Sequence, residues 1–408
     1  MRILIVTQHF APEVTAARVR VESFAKGLME MGHDARVLAA VPNHPEGVIQ
    51  PDYRGRARQR REWDGIPVTY VWVKTSPVKS TLNRLLYYGT FAAGASLAGA
   101  VEQRPDVVVA SSPPLPVGAA GAAIAARHRI PWIFDVRDLW PEVAVALGEL
   151  TNPRIIAAAE RLERRLYRSA AAVATTTEPF AEDIRAKLRD AGEAEGETPV
   201  AVLPNGTTRL WVDAGGTDSD RAAVGLPQDA FVWSYAGNLG LAQGLEHAVR
   251  AAEILGDGFH LMLVGDGPKR SEIEEQVAAM KTGGVTMLGL MQPARAAELL
   301  RASDALLVSL GADPALRWFV PSKLFDFCAL GRPVVLAAQG EAPRLAESAG
   351  AALQVPPGDP EALAAAVRKL RDDAALRERL GDAGRAFGAD NLRERQARRL
   401  GELIESLG

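Results

Sequence analysis

The stretch Val320-Pro-Ser-Lys-Leu-Phe-Asp-Phe-Cys-Ala-Leu-Gly-Arg-Pro-Val-Val335 reads as a loop, a helix of about three turns and the start of a strand. Pro321 suits the non-helical approach, Ser322 is a good N-cap, and Gly331-Arg332-Pro333 stops the helix before Val334, Val335 and Leu336 begin a buried strand. Lys323 adds a positive charge where the helix dipole is already positive. An anion at that point removes the clash, and phosphate is the common one. Asp326, one turn on, is able to accept two hydroxyl hydrogen bonds. A diphosphate beside a diol describes a sugar nucleotide. The plain alternative is a capped helix with a solvated lysine.

The same rhythm extends outward through two similar halves. Ile3–Val6 is a buried strand followed by a loop from Thr7 to Thr15 and a helix carrying Ala17, Val21, Phe24 and Leu28 at helical spacing. Gly32-His33 ends that helix, and strands follow at 35–39, 107–110, 132–135 and 172–175. The second half restarts at Phe231–Tyr235, with later strands at 260–264, 285–288, 305–308 and 333–336. Short apolar strands alternating with helices imply an α/β fold of doubly wound parallel sheets. Between about 191 and 227 the composition turns to Gly, Glu, Asp and Thr, which reads as a linker region. The stretch from 360 to 408 is helical and strongly charged. The expected division is an N-terminal domain over 1–204 and a C-terminal domain over 205–389, with a last helix at about 390–408 packing back on the first. Two Rossmann-like sheets facing each other would share a cleft at their carboxyl ends.

A chain of 408 residues with 48% hydrophobic content has material for two cores. A net charge of −3 gives no reason to expect nucleic acid. One cysteine excludes an internal disulfide framework and a cysteine metal cluster, which fits a reducing cytoplasm. The six histidines show no metal-ligand spacing, so no metal site is expected. Asp218-Ser-Asp220 resembles a metal-holding D-x-D but lies in the linker region, where it reads as surface chain. No apolar run is long enough to span a bilayer.

The loop after the first strand, from His9 to Ala17, lacks G-x-G-x-x-G, which argues against a dinucleotide there. Tyr235-Ala-Gly-Asn-Leu-Gly-Leu-Ala-Gln-Gly244 is stronger: its glycines let backbone amides approach a phosphate, with Asn238 and Gln243 as neutral donors beside Gly240. Gly265-Asp266-Gly267 is only a fragment of such a fingerprint and suits a tight turn equally well. Asp135-Val-Arg-Asp-Leu-Trp-Pro-Glu142 gathers acids, Arg137 and Trp140 at a strand end where a cleft is expected; the alternative is a structural ion pair. The helix around 81–91 is apolar over much of its surface, with Lys74, Lys79 and Arg84 near, and could press on a membrane surface or pack on the sheet.

Taken together, Arg137-Asp-Leu-Trp-Pro-Glu142, Tyr235–Leu245 and Pro321-Ser-Lys-Leu-Phe-Asp326 resemble the glycosyltransferases of family 4, which have the two-Rossmann GT-B fold. The resemblance is nearest to the bacterial branch that moves N-acetylated amino sugars in surface-polysaccharide assembly. It implies a retaining, metal-independent enzyme that needs no cofactor beyond a nucleotide-sugar donor, UDP-linked by expectation. It further implies catalytic roles for Lys323, Arg137 and Asp138, and places Pro321, Ser322, Leu324 and Asp326 on the donor with Asn238, Gly240 and Gln243. Gly265, Asp266, Gly267, Leu290 and Met291 would surround the base. The acceptor, lipid-linked or a small natural product, would meet His9, Glu13, Thr15, Trp140 and Glu142. The implied location is the cytoplasm, with possible contact at the inner membrane.

Three departures stand out. The family often has two glutamates eight apart, where this chain has Trp318 and Asp326. Its phosphate-loop Arg and Lys are Asn238 and Gln243 here, so Lys323 carries more of the charge. A Gly-Gly pair of the first loop is Ala16-Ala17. Two other functions fit the same fold: a sugar-nucleotide epimerase, and a partner that binds donor without turning it over.

Overall fold

The computed structural model describes the chain except residues 79, 147, 149, 193–196, 217–220, 223 and 408. Asp218, Asp220 and Lys79 therefore lie outside the described residues. The chain divides into two compact units, Met1–Pro204 with Arg393–Gly408, and Asn205–Leu392.

The first unit holds strands β1 (Arg2–Thr7), β2 (Asp34–Ala40), β3 (Arg58–Trp63), β4 (Ile66–Val71), β5 (Val107–Ser112), β6 (Trp132–Val136), β7 (Ala172–Thr175) and β8 (Val200–Val202). Their order is β3-β4-β2-β1-β5-β6-β7-β8. All pairings are parallel except the β3–β4 hairpin. Helices cover both faces, so β5, Val-Val-Val-Ala-Ser-Ser, is buried throughout, as parallel strands are. In the second unit β9 (Phe231–Ala236), β10 (Phe259–Val264), β11 (Gly284–Leu288), β12 (Ala305–Ser309), β13 (Val334–Ala337) and β14 (Ala352–Val355) run parallel in the order β11-β10-β9-β12-β13-β14. The strand order reverses between β1 and β5, and again between β9 and β12. Loops part at such a switch point and leave a crevice at the strands' carboxyl ends.

Three corrections concern the elements. The helix after Pro321 spans Ser322–Ala329, about two turns rather than three; Pro321 is its N-cap and Ser322 its first helical residue. The linker reading of 191–227 fails in part. Val200–Val202 completes the first sheet, and Arg209–Gly215 is a helix whose Trp211 ring lies 6.3 Å from Phe327. Strands β3, β4 and β14 escaped the periodicity reading altogether.

Candidate functional site

In the second unit, the switch-point crevice is built by backbone before side chains enter it. The loop after β9 is stitched to the loop after β10 by Gly237 N to Val264 O at 2.9 Å, Leu239 N to Asp266 O at 2.9 Å and Lys269 N to Leu239 O at 2.9 Å. It is tied to the end of β12 by Gly311 N to Ala242 O at 2.8 Å and Ser309 Oγ to Gln243 O at 2.7 Å. Glycine is required where these segments touch. A Cβ on Gly265, φ +131°, would lie 2.0 Å from Gly237 O, and one on Gly237, φ +143°, would lie 2.7 Å from Lys323 Nζ.

Lys323 reaches that loop from the first turn of its helix. Its ammonium donates to Tyr235 Oη and lies 4.1 Å from the centre of the same ring, while Tyr235 Oη donates to Asn238 O at 2.8 Å. The lysine keeps some accessible surface, yet protein atoms crowd its head. Burial pulls its pKa down to about 7, and the charge of Asp326 only partly resists this. Burial pushes the Tyr235 phenol far up, so it stays neutral and offers the lysine no compensating charge. An ammonium held this way lacks a full counter-charge.

The other expected donor residues fall around it in different states of engagement. Asp326 accepts Thr207 Oγ1 at 2.9 Å on one oxygen. The Leu324 amide already donates to Pro321 O at 3.0 Å and its side chain is buried, which leaves Ser322 and Lys323 as donors of the helix start. Gly240 N is taken by Gln243 Oε1 at 3.2 Å, whereas Asn238 is exposed. Gly267 N donates to Asp266 Oδ1 at 2.8 Å, closing the turn after β10. Leu290 is exposed and Met291 half-buried after β11. Trp318 is half-buried with Arg317 5.0 Å from its ring. Sequence reasoning missed Tyr235 and Thr207 as partners. Their positions, just before Ala-Gly and just after Pro-Asn-Gly, were the available signal.

In the first unit, Asp135 at the end of β6 proves structural. It is fully buried, held by Arg20 Nη2 at 2.8 Å and Nε at 3.2 Å, and accepts Ser111 Oγ at 2.7 Å. Arg137 spends Nε on Ser112 O at 2.9 Å and Nη2 on Pro113 O at 3.3 Å, fixing the chain after β5. Burial lowers the Arg137 pKa against the pull of Asp138 and Asp135, and raises that of Asp138 against the pull of Arg137. His9 Nδ1 lies 2.7 Å from Glu13 Oε2 in the loop after β1. Thr15 caps the following helix by accepting Arg18 N at 3.1 Å. Trp140 is half-buried before Pro141, and exposed Glu142 pairs with Lys187, which also holds Glu163 at 2.9 Å and Asp183 at 3.0 Å. Among the described residues no cluster of three or more His, Cys, Asp or Glu could hold a metal ion.

Comparison with known proteins follows the two units. Residues 15–206 match the family described as Glycosyl transferase 4-like domain, and residues 230–373 match Glycosyl transferases group 1. The chain is 26% identical to the Putative colanic acid biosynthesis glycosyl transferase WcaI of Escherichia coli (strain K12), covering 90% of this chain and 92% of that one. It is 28% identical to the 2-deoxystreptamine glucosyltransferase of Streptomyces kanamyceticus over 57% of this chain and 59% of the other. Anabaena HepE, solved in complex with UDP-glucose, shares the fold with a TM-score of 0.71 at 17% identity, covering 99% of each chain.

Proposed function

We propose, for a chain that belongs to the family 4 glycosyltransferases of the GT-B fold, that it moves a sugar with retention of configuration from a UDP-linked donor without a metal ion. The observation that carries this reading is Lys323, an ammonium without a full counter-charge in the crevice between the ends of β9 and β12. In glycosyl transfer, negative charge grows on the departing diphosphate, and prearranged donors lower that barrier most. Lys323, the Ser322 amide and the helix dipole supply that charge and those donors, with Asn238 exposed on the facing loop. Asp326, which accepts Thr207 Oγ1 at 2.9 Å, is the carboxylate of this helix start that we assign to the ribose hydroxyls. A UDP-sugar complex of a protein with the same fold agrees with this choice of donor.

The donor sugar we favour is N-acetylglucosamine or another amino or deoxy sugar. Trp318 supports it, since an indole offers an apolar face where a carboxylate would grip hydroxyls. The acceptor we favour is a lipid-linked sugar or a small natural product; one relative's name gives colanic acid biosynthesis and the other's gives 2-deoxystreptamine. The helix Thr81–Val101 supports a membrane-borne acceptor: Leu82 and Leu97 are 66% and 72% exposed, with Leu85 and Leu86 also exposed. No helix among the described residues is long and apolar enough to cross a membrane, so any contact would lie at the surface.

A panel of UDP-sugars followed by mass spectrometry tests the reading. UDP release with one amino or deoxy sugar, and an axial anomeric product from an axial donor by proton NMR, is expected. An inverted product would overturn retention, and conversion of the free donor to its epimer would overturn transfer itself.

A further inference from the structure

We propose that Tyr235 is the positioning residue of Lys323, holding its ammonium in place before the donor diphosphate arrives; this rests on the donor site proposed above. Strand β9 turns Trp233 and Tyr235 to one face, where both rings pack with Leu239, Leu245, Leu261 and Leu263 in a core of the second unit. Ser234, on the opposite face, meets Ser303 Oγ at 2.6 Å. The Tyr235 side chain is fully buried, so close packing denies its ring and hydroxyl room to swing aside. A buried phenol needs partners for its hydroxyl, and here both belong to the crevice at the end of β9.

The direction of each bond follows from the hydrogens available. Asn238 O can only accept, so the phenol gives it its single hydrogen, at 2.8 Å. The phenol's lone pairs are then left for Lys323, whose ammonium can only donate. The carbonyl that fixes this polarity is itself held: the N–H of the same peptide, on Leu239, donates to Asp266 O at 2.9 Å. Gly237 lets the loop come this close, since a Cβ there would stand 3.4 Å from Tyr235 Oη and 2.7 Å from Lys323 Nζ. The ring adds a second hold, because the ammonium lies 4.1 Å from its centre, within the range of a cation–π contact.

This arrangement restrains the lysine without neutralising it. A carboxylate at the same place would cancel the charge that a diphosphate is to meet, whereas the phenol stays neutral because burial pushes its pKa far up. An ammonium has three N–H donors; one is taken by Tyr235, and among the described residues Lys323 has no other hydrogen-bond partner. Two N–H groups thus remain for the oxygens of an anion. A lysine free at all its rotatable bonds would lose that freedom on binding, while this one has lost it on folding. Stabilisation of charge growing on a leaving group depends on such prior alignment. In this role Tyr235 touches neither sugar nor diphosphate, and its effect runs through Lys323.

The test is a double-mutant cycle on the full chain, with UDP as the probe in isothermal titration: wild type, Tyr235→Phe, Lys323→Met and the two together. Phenylalanine keeps the ring in the core and removes only Oη. With Lys323 present, Tyr235→Phe should weaken UDP binding about tenfold, the lower end for a charged hydrogen bond. In the Lys323→Met background the same change should alter affinity by less than about twofold, because the phenol then has nothing to position. An equal loss in both backgrounds would show a structural role, and unchanged affinity of Tyr235→Phe would show that the lysine finds its place unaided; either overturns the proposal. Should Tyr235→Phe melt far below wild type, protein grown on 3-fluorotyrosine replaces it, since the fluorinated phenol keeps its shape and accepts hydrogen bonds more weakly. A loss of UDP affinity confined to the chain with Lys323 then supports the assignment, and the same ratio in both chains overturns it. Equal binding of UDP by wild type and Lys323→Met would instead remove the donor site itself, and the role of Tyr235 with it.

Discussion

Lys323 is the residue on which the proposed chemistry rests. Its folded pKa of about 7 lies below the ordinary 10.5 because burial disfavours the charged form. Between those values the unfolded chain binds more protons, so this residue's contribution to stability rises with pH across that window. A diphosphate arriving beside the ammonium reverses the shift. UDP binding at pH 8 should therefore take up a fraction of a proton, measurable as a dependence of the calorimetric heat on buffer ionisation enthalpy. Lys323→Met should bind without that dependence. Equal proton uptake in the two proteins would assign the proton to another group.

At the scale of elements, the loops determine what the lysine meets. Gly237→Ala forces a side chain onto a φ of +143° and against Lys323 Nζ, so it should weaken UDP binding at least tenfold, with Asn238→Ala as the milder control. Unchanged affinity would show that the loop gives way. A second element carries its own titration: Glu163, fully buried, accepts Tyr167 Oη at 2.7 Å and Lys187 at 2.9 Å, and burial raises its pKa to about 7 despite the lysine. Here the folded form holds the proton more tightly than the unfolded, so stability falls as pH rises from about 4.5 through 7. Glu163→Gln should gain in melting temperature relative to wild type as pH goes from 5.5 to about 8.5. A pH-independent difference would contradict this. The elements also explain what sequence reading could reach. Buried parallel strands announce themselves as apolar runs, so β1, β5, β7, β9 and β12 were legible. The β3–β4 hairpin was not, because Arg-Gln-Arg-Arg-Glu-Trp on an edge presents charge rather than core. Its signal was the turn Asp64-Gly65, both with positive φ. Partners such as Tyr235 for Lys323, 88 residues apart, exist only once the sheet has formed.

At the scale of the molecule, two parallel sheets of different order each present a switch point. One is furnished with a lysine and glycine-rich loops, the other with a His–Glu pair and an Arg–Asp strand end. On the proposed reading the donor diphosphate is held in the second unit, by Lys323. Isothermal titration of UDP into wild type and Lys323→Ala tests this most directly. A charged hydrogen bond is worth about 1.5–3 kcal/mol, so the variant should bind roughly 10- to 150-fold more weakly with its melting temperature preserved. Equal affinity in the two proteins would contradict the account.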